Sequence, residues 1–317
     1  MRIPRRALPF LALPAAAQSE WPNRSVSVVV PWPAGGSTDA LVRTLTQHLA
    51  SSTGQPFVVE NRTGATGTVG HAFVARARGD GYTLLAGTNS TYAIAPHLMG
   101  SLPYDDNAFA PIMLMATNPQ LLVTHPSQPF QNLAQFLAFA RANPGRLSFA
   151  SSGNGGTSHL ATELLMQLAG IEMLHVPYRG GGPAAQAQLA GEVQVTFVDA
   201  ITAIPHMRAG TMRALGVSTA ERSALAPDVP TVAEGGLPGF ESSTDFALFA
   251  PAETPAALIA RIHAVFAATL RDAGVRERLL AQGMTPVVGA TADFRAYQAR
   301  ESAKWGALIR ARNIRVG

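Results

Sequence analysis

The feature that most constrains this fold is an alternation running through almost the whole chain. Short β-branched or aromatic runs are followed by stretches whose apolar residues recur at helical spacing. Val26 to Val30 reads as a buried strand, and Leu41, Leu45 and Leu49 mark the helix after it. Phe57 to Val59 and Thr83 to Ala86 read as strands flanking a helix that ends before Gly79. Further on, strands are expected at Leu121 to Val123, Leu147 to Ala150, Leu174 to Val176, Val193 to Phe197 and Ala214 to Val217. Helices are expected at Leu133 to Ala142, Leu160 to Leu168 and Ala184 to Ala190, stopped respectively by Asn143-Pro144-Gly145, Gly170 and Gly191. Thr254-Pro255 suits the start of a late helix, with threonine as cap, and a terminal helix is expected from about Phe294 to Arg312.

Alternating β and α elements predict doubly wound, mostly parallel sheets covered on both faces. The 317 residues suffice for two such lobes. A crossing between them is expected in the loop from Pro103 to Pro111, which leads to the Leu121 strand. The return is expected near Phe246 to Phe249, after the Pro/Gly-rich stretch Pro227 to Gly239. This divides the chain into residues 18–122 with 246–317 as one lobe and 123–245 as the other.

The N-terminus stands outside this pattern. Arg2, Arg5 and Arg6 precede an apolar run from Ala7 to Ala17 that closes on Ala15-Ala16-Ala17. This is the pattern of a secretory signal peptide over residues 1–17, cleaved before Gln18. The run is too short for a membrane anchor, and Pro9 and Pro14 argue against a buried helix. Export by the general or the twin-arginine route stays open. With the three arginines removed, the net charge of +4 falls to +1. No Lys/Arg run follows, so nucleic acid is not an expected partner.

The chain has no cysteine, which excludes thiol catalysis, thiolate metal sites and lipid attachment at an N-terminal cysteine. Asn-x-Ser/Thr triplets occur at Asn23, Asn61 and Asn89; they would matter in a eukaryotic secreted protein and be chance in a bacterial one, and the absence of cysteine favours chance.

Two Gly-rich turns carry the functional expectation. Pro31-Trp32-Pro33-Ala34-Gly35-Gly36-Ser37-Thr38-Asp39 and Ser151-Ser152-Gly153-Asn154-Gly155-Gly156-Thr157-Ser158-His159 each join a strand to a helix. Free N–H groups and the positive end of the dipole at a helix N-terminus bind anions. A third turn, Gly64 to Gly70, lacks the Gly-x-Gly opening of the dinucleotide fingerprint. The only lysine is Lys304, so no phosphate-binding P-loop exists. Ser158 and His159 point about 100° apart on a helix and cannot form a nucleophile–base pair. His159 is expected as a hydrogen-bond donor at the helix start and His175 as a packed strand-end residue. The histidines show no metal-ligand spacing, and neither a metal nor a cofactor is expected.

These turns sit among further ordered matches: Val59-Glu60-Asn61-Arg62-Thr63-Gly64-Ala65, Leu102-Pro103-Tyr104-Asp105, His175-Val176-Pro177-Tyr178-Arg179-Gly180, Pro227-Asp228-Val229-Pro230-Thr231 and Ala250-Pro251. With them the chain resembles, over essentially its mature length, the Bug-type receptors. These are the periplasmic solute-binding components of tripartite tricarboxylate transporters. The resemblance implies a two-lobed flytrap fold with the ligand in the cleft between lobes, held by backbone N–H groups and water. Carried over, it implies contacts from Ala34, Gly35, Gly36, Ser37, Thr38 and Asp39, and from Gly153, Asn154, Gly155, Gly156, Thr157, Ser158 and His159. Thr88, Asn89, Thr91 and Asp199 are expected nearby. It also implies a monomer in the periplasm, membrane transporter subunits as partners, and a small carboxylate ligand: an amino acid, a dicarboxylate or an aromatic acid.

The chain departs from the family pattern in two places. The loop after Asp105 is one residue shorter, and Asp245 stands where many members have tryptophan. A cleft-facing Asp245 would disfavour dianions and favour an amine-bearing ligand. An α/β enzyme acting on a carboxylate, or a sensor domain of a membrane signalling protein, fits the same scaffold.

Overall fold

The structure, a computed structural model, describes residues 21–315; the expected signal peptide lies outside them. Along the chain, β1 (Val26–Val30), α1 (Ser37–Thr53), β2 (Phe57–Asn61), α2 (Thr68–Ala75) and β3 (Thr83–Thr88) come first. A π-helical turn, Ser90–Ile94, runs into α3 (Ala95–Leu98), and β4 (Phe109–Asn118) follows. Then come β5 (Gln120–Thr124), α4 (Leu133–Ala142), β6 (Ser148–Ser151), α5 (Thr157–Ala169), β7 (Leu174–Pro177), α6 (Gly181–Leu189), β8 (Val195–Asp199), α7 (Ala200–Arg208) and β9 (Arg213–Val217). The chain closes with β10 (Thr244–Pro251), α8 (Ala256–Arg271), α9 (Ala273–Ala281), β11 (Thr285–Pro286) and α10 (Thr291–Ala311).

Two sheets result, in the orders β11-β4-β10-β3-β1-β2 and β7-β6-β8-β5-β9. Their cores explain the unbroken valine run. Val26, Val28 and Val30 pack against Leu41, Leu45, Ile262 and Phe266, while Val29 packs on the opposite face with Val74, Phe294 and Trp305. A strand buried on both faces has no polar side. The second sheet is covered in the same way. Leu122, Phe149 and Phe197 pack with α4 and α5, and Leu121, Val123 and Val198 with α6 and α7.

Both sheets are mixed rather than mostly parallel. Parallel pairing joins β1 to β2 and β3, and β6 to β7 and β8. β10 is antiparallel to β3 and β4, β11 to β4, and β5 to β8 and β9. The reason is the route of the chain. β1, β6 and β8 end at the junction between the sheets, whereas β5 and β10 begin there, having just crossed.

The loop from Pro103 to Pro111 does not make the crossing. The chain pairs with β10 through Asn118 and passes to the second sheet across Pro119. β4 escapes a propensity reading because Pro111 interrupts it, and proline in a sheet needs a bulge or an edge. Pro111 sits opposite Phe249, where the register shifts. Thr254 does not cap α8, since Pro255 is its N-cap residue and makes no side-chain bond.

Ser218 joins the two crossings. Its hydroxyl accepts from the Gln120 N–H at 2.9 Å and donates to the Ser242 carbonyl at 2.7 Å.

Candidate functional site

Between the sheets lies a cavity of about 300 Å3. One wall is the first Gly-rich turn, from Trp32 to Thr38, with Thr88 and Ser90. The other is built from Ser152, Thr157 and Ser158, from Arg179 to Pro183, and from the Phe197–Asp199 end of β8. The helices α1, α5, α6 and α7 all start at this cavity. Their N-cap residues Gly36, Gly156, Gly180 and Asp199 make no side-chain cap bond. By contrast, Asn132 caps α4 and Asp272 caps α9 through their side chains. First-turn N–H groups without an internal partner take water, a side chain or a ligand.

The first turn is fixed from behind. Gly35 has φ +82°, which a side chain would strain. Its N–H donates to Asp39 Oδ2 at 2.9 Å, and Asp39 also accepts from Arg43 Nε at 2.8 Å and Asn61 Nδ2 at 2.9 Å. Burial pushes the Asp39 carboxyl up, but the bonds from Arg43, Gly35 and Asn61 outweigh it and hold it below the usual carboxylate range. Asp39 is thus the brace of the turn and does not line the cavity. Ser37, Thr38, Gly35, Gly36 and Ala34 do.

The second turn divides differently from expectation. Thr157 and Ser158 line the cavity, while Gly153, Asn154, Gly155, Gly156 and His159 do not. Asn154 O accepts from Thr66 of the first lobe at 3.3 Å. Gly155 has φ +74°, and a Cβ there would lie 2.4 Å from Leu98 Cδ2. Glycine at 155 therefore serves the close approach of the lobes. His159 accepts rather than donates at the helix start: the Gly155 N–H reaches its Nδ1 at 3.1 Å. Its ring stacks on His175 at 3.9 Å.

Other cross-lobe bonds surround the cavity. Ser37 Oγ donates to Asp199 Oδ2 at 2.6 Å, and Thr244 Oγ1 donates to Asp199 Oδ1 at 2.9 Å. Burial raises the Asp199 carboxyl; the bonds from Ser37, Thr244 and Gln120 oppose that shift. Asn89 does not line the cavity. It is fully buried, accepts from Thr157 Oγ1 at 3.0 Å and donates to Ser243 O at 2.8 Å. Thr91 faces a separate cavity of the first lobe. Arg312 of the terminal segment also reaches Glu163 at 2.9 Å and Glu172 at 2.7 Å, a further link to the second lobe.

Asp245 does not border the cleft. It is fully buried, bonded by the hydroxyls of Ser243 and Tyr297, so it cannot select an amine-bearing ligand there. Burial pushes its carboxyl up to about 7.

Arg179 and the glycines after it stood outside the expected contact set, although Gly180-Gly181-Gly182-Pro183 repeats the strand–glycine–helix pattern. Among the described residues, Arg179 is the only cationic side chain lining the cavity and has no ion pair. Ser151 Oγ lies 2.6 Å from His175 Nε2. The pair resembles a nucleophile and base, but Ser151 is fully buried and neither residue lines the cavity. Burial, followed by the nearby His159, lowers His175 to about 4, poorly matched to general-base work at neutral pH.

Comparison with known proteins agrees with this architecture. The model of the tripartite tricarboxylate transporter family receptor matches residues 41–314. Protein BugT of Bordetella pertussis is 36% identical over 302 residues, covering 95% of this chain and 92% of BugT. The structure of R. palustris Rpa4515 with adipate superposes with a TM-score of 0.88 at 33% identity, covering 93% of this chain and 99% of that one. MatC from Rhodopseudomonas palustris with bound malate gives 0.82 at 34% identity, covering 91% and 100%.

Proposed function

Since the chain belongs to the tripartite tricarboxylate transporter receptor family, and is a periplasmic solute-binding protein rather than an enzyme, we propose that it captures a small carboxylate in the cleft between its lobes and delivers it to a membrane transporter. The observation that carries the reading is the convergence of four helix N-termini without side-chain caps on one cavity.

One carboxylate is held by the backbone N–H groups of Ala34, Ser37 and Thr38 and the hydroxyls of Thr88 and Ser158; Gly35 N–H, Ser37 Oγ and Thr157 Oγ1 already donate to Asp39, Asp199 and Asn89 and shape the pocket. Arg179 and the start of α6 receive the far end of the ligand. Among the described residues Asp199 is the only acid lining the cavity, and Ser37 and Thr244 already occupy its oxygens. The bound adipate of Rpa4515 and malate of MatC support a ligand with a carboxylate at each end. Closure moves the lobes against each other about the crossings near Pro119 and Ser243, close to the boundaries drawn at 122/123 and 245/246. The mature protein is a monomer that begins at Gln18.

The test is a thermal-shift and calorimetric series on the mature chain with adipate, malate and their monocarboxylate analogues. A ligand present at 100 times its Kd stabilises by about 2.7 kcal/mol. A rise in Tm with dicarboxylates, weaker with monocarboxylates, is expected. No rise with any carboxylate would overturn the proposal.

A further inference from the structure

A second cavity, of about 510 Å3, opens on the first lobe, where α2, β4 and α10 meet. Its size falls within the range of small-molecule sites. The walls are aromatic. His71 and Tyr104 stack with centroids 5.6 Å apart, and Phe109 stands edge-on to both at 5.4 Å. Such walls accept a flat ring by stacking and edge contacts.

His71 gives this box a polar point. The residue is only 2% exposed. Its Nδ1 lies 3.0 Å from the Gly67 carbonyl, which can only accept, so Nδ1 carries the proton and Nε2 is a bare acceptor. Burial lowers the ring to about 4, so it is neutral at physiological pH. Nε2 has no hydrogen-bond partner among the described residues. A buried acceptor left unpaired is destabilising, a penalty that a ligand hydroxyl would remove. The rim carries Arg295 of α10, which is exposed and has no ion pair among the described residues. Among the described residues, no carboxylate lines the cavity.

A flat wall, a neutral acceptor at depth and one cation at the mouth define a ligand. We propose that this cavity is a second binding site, for a small aromatic carboxylate that carries a ring hydroxyl. The ring packs against Tyr104 and Phe109, the hydroxyl donates to His71 Nε2, and the carboxylate meets Arg295. The site is separate from the cleft but shares one element with it. In the Ser90–Ile94 turn, Ser90 lines the cleft while Thr91 and Tyr92 line this cavity.

The probe is 4-hydroxybenzoate, titrated into the mature chain labelled with 15N-histidine. The His71 Nε2 resonance, assigned by its loss in His71→Phe, should shift saturably as it accepts a hydrogen bond. Calorimetry should show binding weakened at least tenfold by Arg295→Ala and abolished by Ala299→Trp, which fills the cavity from the exposed face of α10. Benzoate, without the hydroxyl, should bind at least fivefold more weakly. The proposal is overturned if 4-hydroxybenzoate leaves His71 Nε2 unmoved at millimolar concentration, or if its binding survives Ala299→Trp. Binding that responds to Arg179→Ala with His71 unmoved would place the probe in the cleft and equally overturn it.

Discussion

The Ser37 hydroxyl donates to the Asp199 carboxylate at 2.6 Å across 162 residues of sequence, tying the first turn of α1 to the start of α7 in the opposite lobe. Ser37→Ala removes this link and a hydroxyl that faces the cavity. A hydrogen bond to a charged group is worth about 1.5–3 kcal/mol net. Affinity for the carboxylate should therefore fall by roughly tenfold or more, measured by calorimetry. Unchanged affinity would show that the link does not support the ligand-bound form.

Arg179→Ala tests which end of the ligand is which. A dicarboxylate should lose about tenfold in affinity and much of its salt dependence, while a monocarboxylate held by the first turn should lose little. Equal losses for both would place Arg179 on the carboxylate they share.

Gly155→Ala places a side chain at φ +74° and 2.4 Å from Leu98 Cδ2. The backbone strain alone costs about 1–3 kcal/mol. The variant should unfold earlier in urea, and Gly155→Ala with Leu98→Ala should recover the steric part only. If the double variant is no more stable than Gly155→Ala alone, the contact between lobes is not the constraint.

Asp245 sets a pH dependence. Its folded carboxyl is raised to about 7 by burial, above the ordinary aspartate value of about 4. The folded protein thus holds this proton more tightly than the unfolded chain. The resulting stability is fully present below pH ~4, is lost as pH rises to about 7, and changes little beyond. Asp245→Asn should be more stable than the parent at pH 8, on the order of 1–4 kcal/mol, with the difference vanishing near pH 4. A difference that does not change with pH in urea unfolding would refute this.

Much of the scaffold was legible because its parallel strands are β-branched runs bounded by glycine and its helices end where glycine or proline must end them. β4 was not, because Pro111 and a methionine-rich run carry no strand signature. The bulge at Phe249 that accommodates Pro111 is a tertiary feature. The first turn was legible from its residue types alone. The second was misread in detail: whether Gly155 faces a ligand or Leu98 depends on how the lobes meet. Arg179 had a visible signal in the glycines after it. Ile201 and Thr202 line the cavity with none, since only the β8–α7 geometry brings them there. Asp245 could not be placed from sequence, because its surroundings come from α10, about fifty residues later.

Ser218 ties together the two strands that pass between the lobes. Two separate straps would let one lobe rock, slide and swivel over the other. Straps cross-linked beside one serine behave instead like the knuckles of a single door hinge, leaving rotation about one line as the easy motion. The recognition problem then becomes one-dimensional. In the proposed receptor, closing on a solute is then a swing about that line, ending where Ser37 meets Asp199.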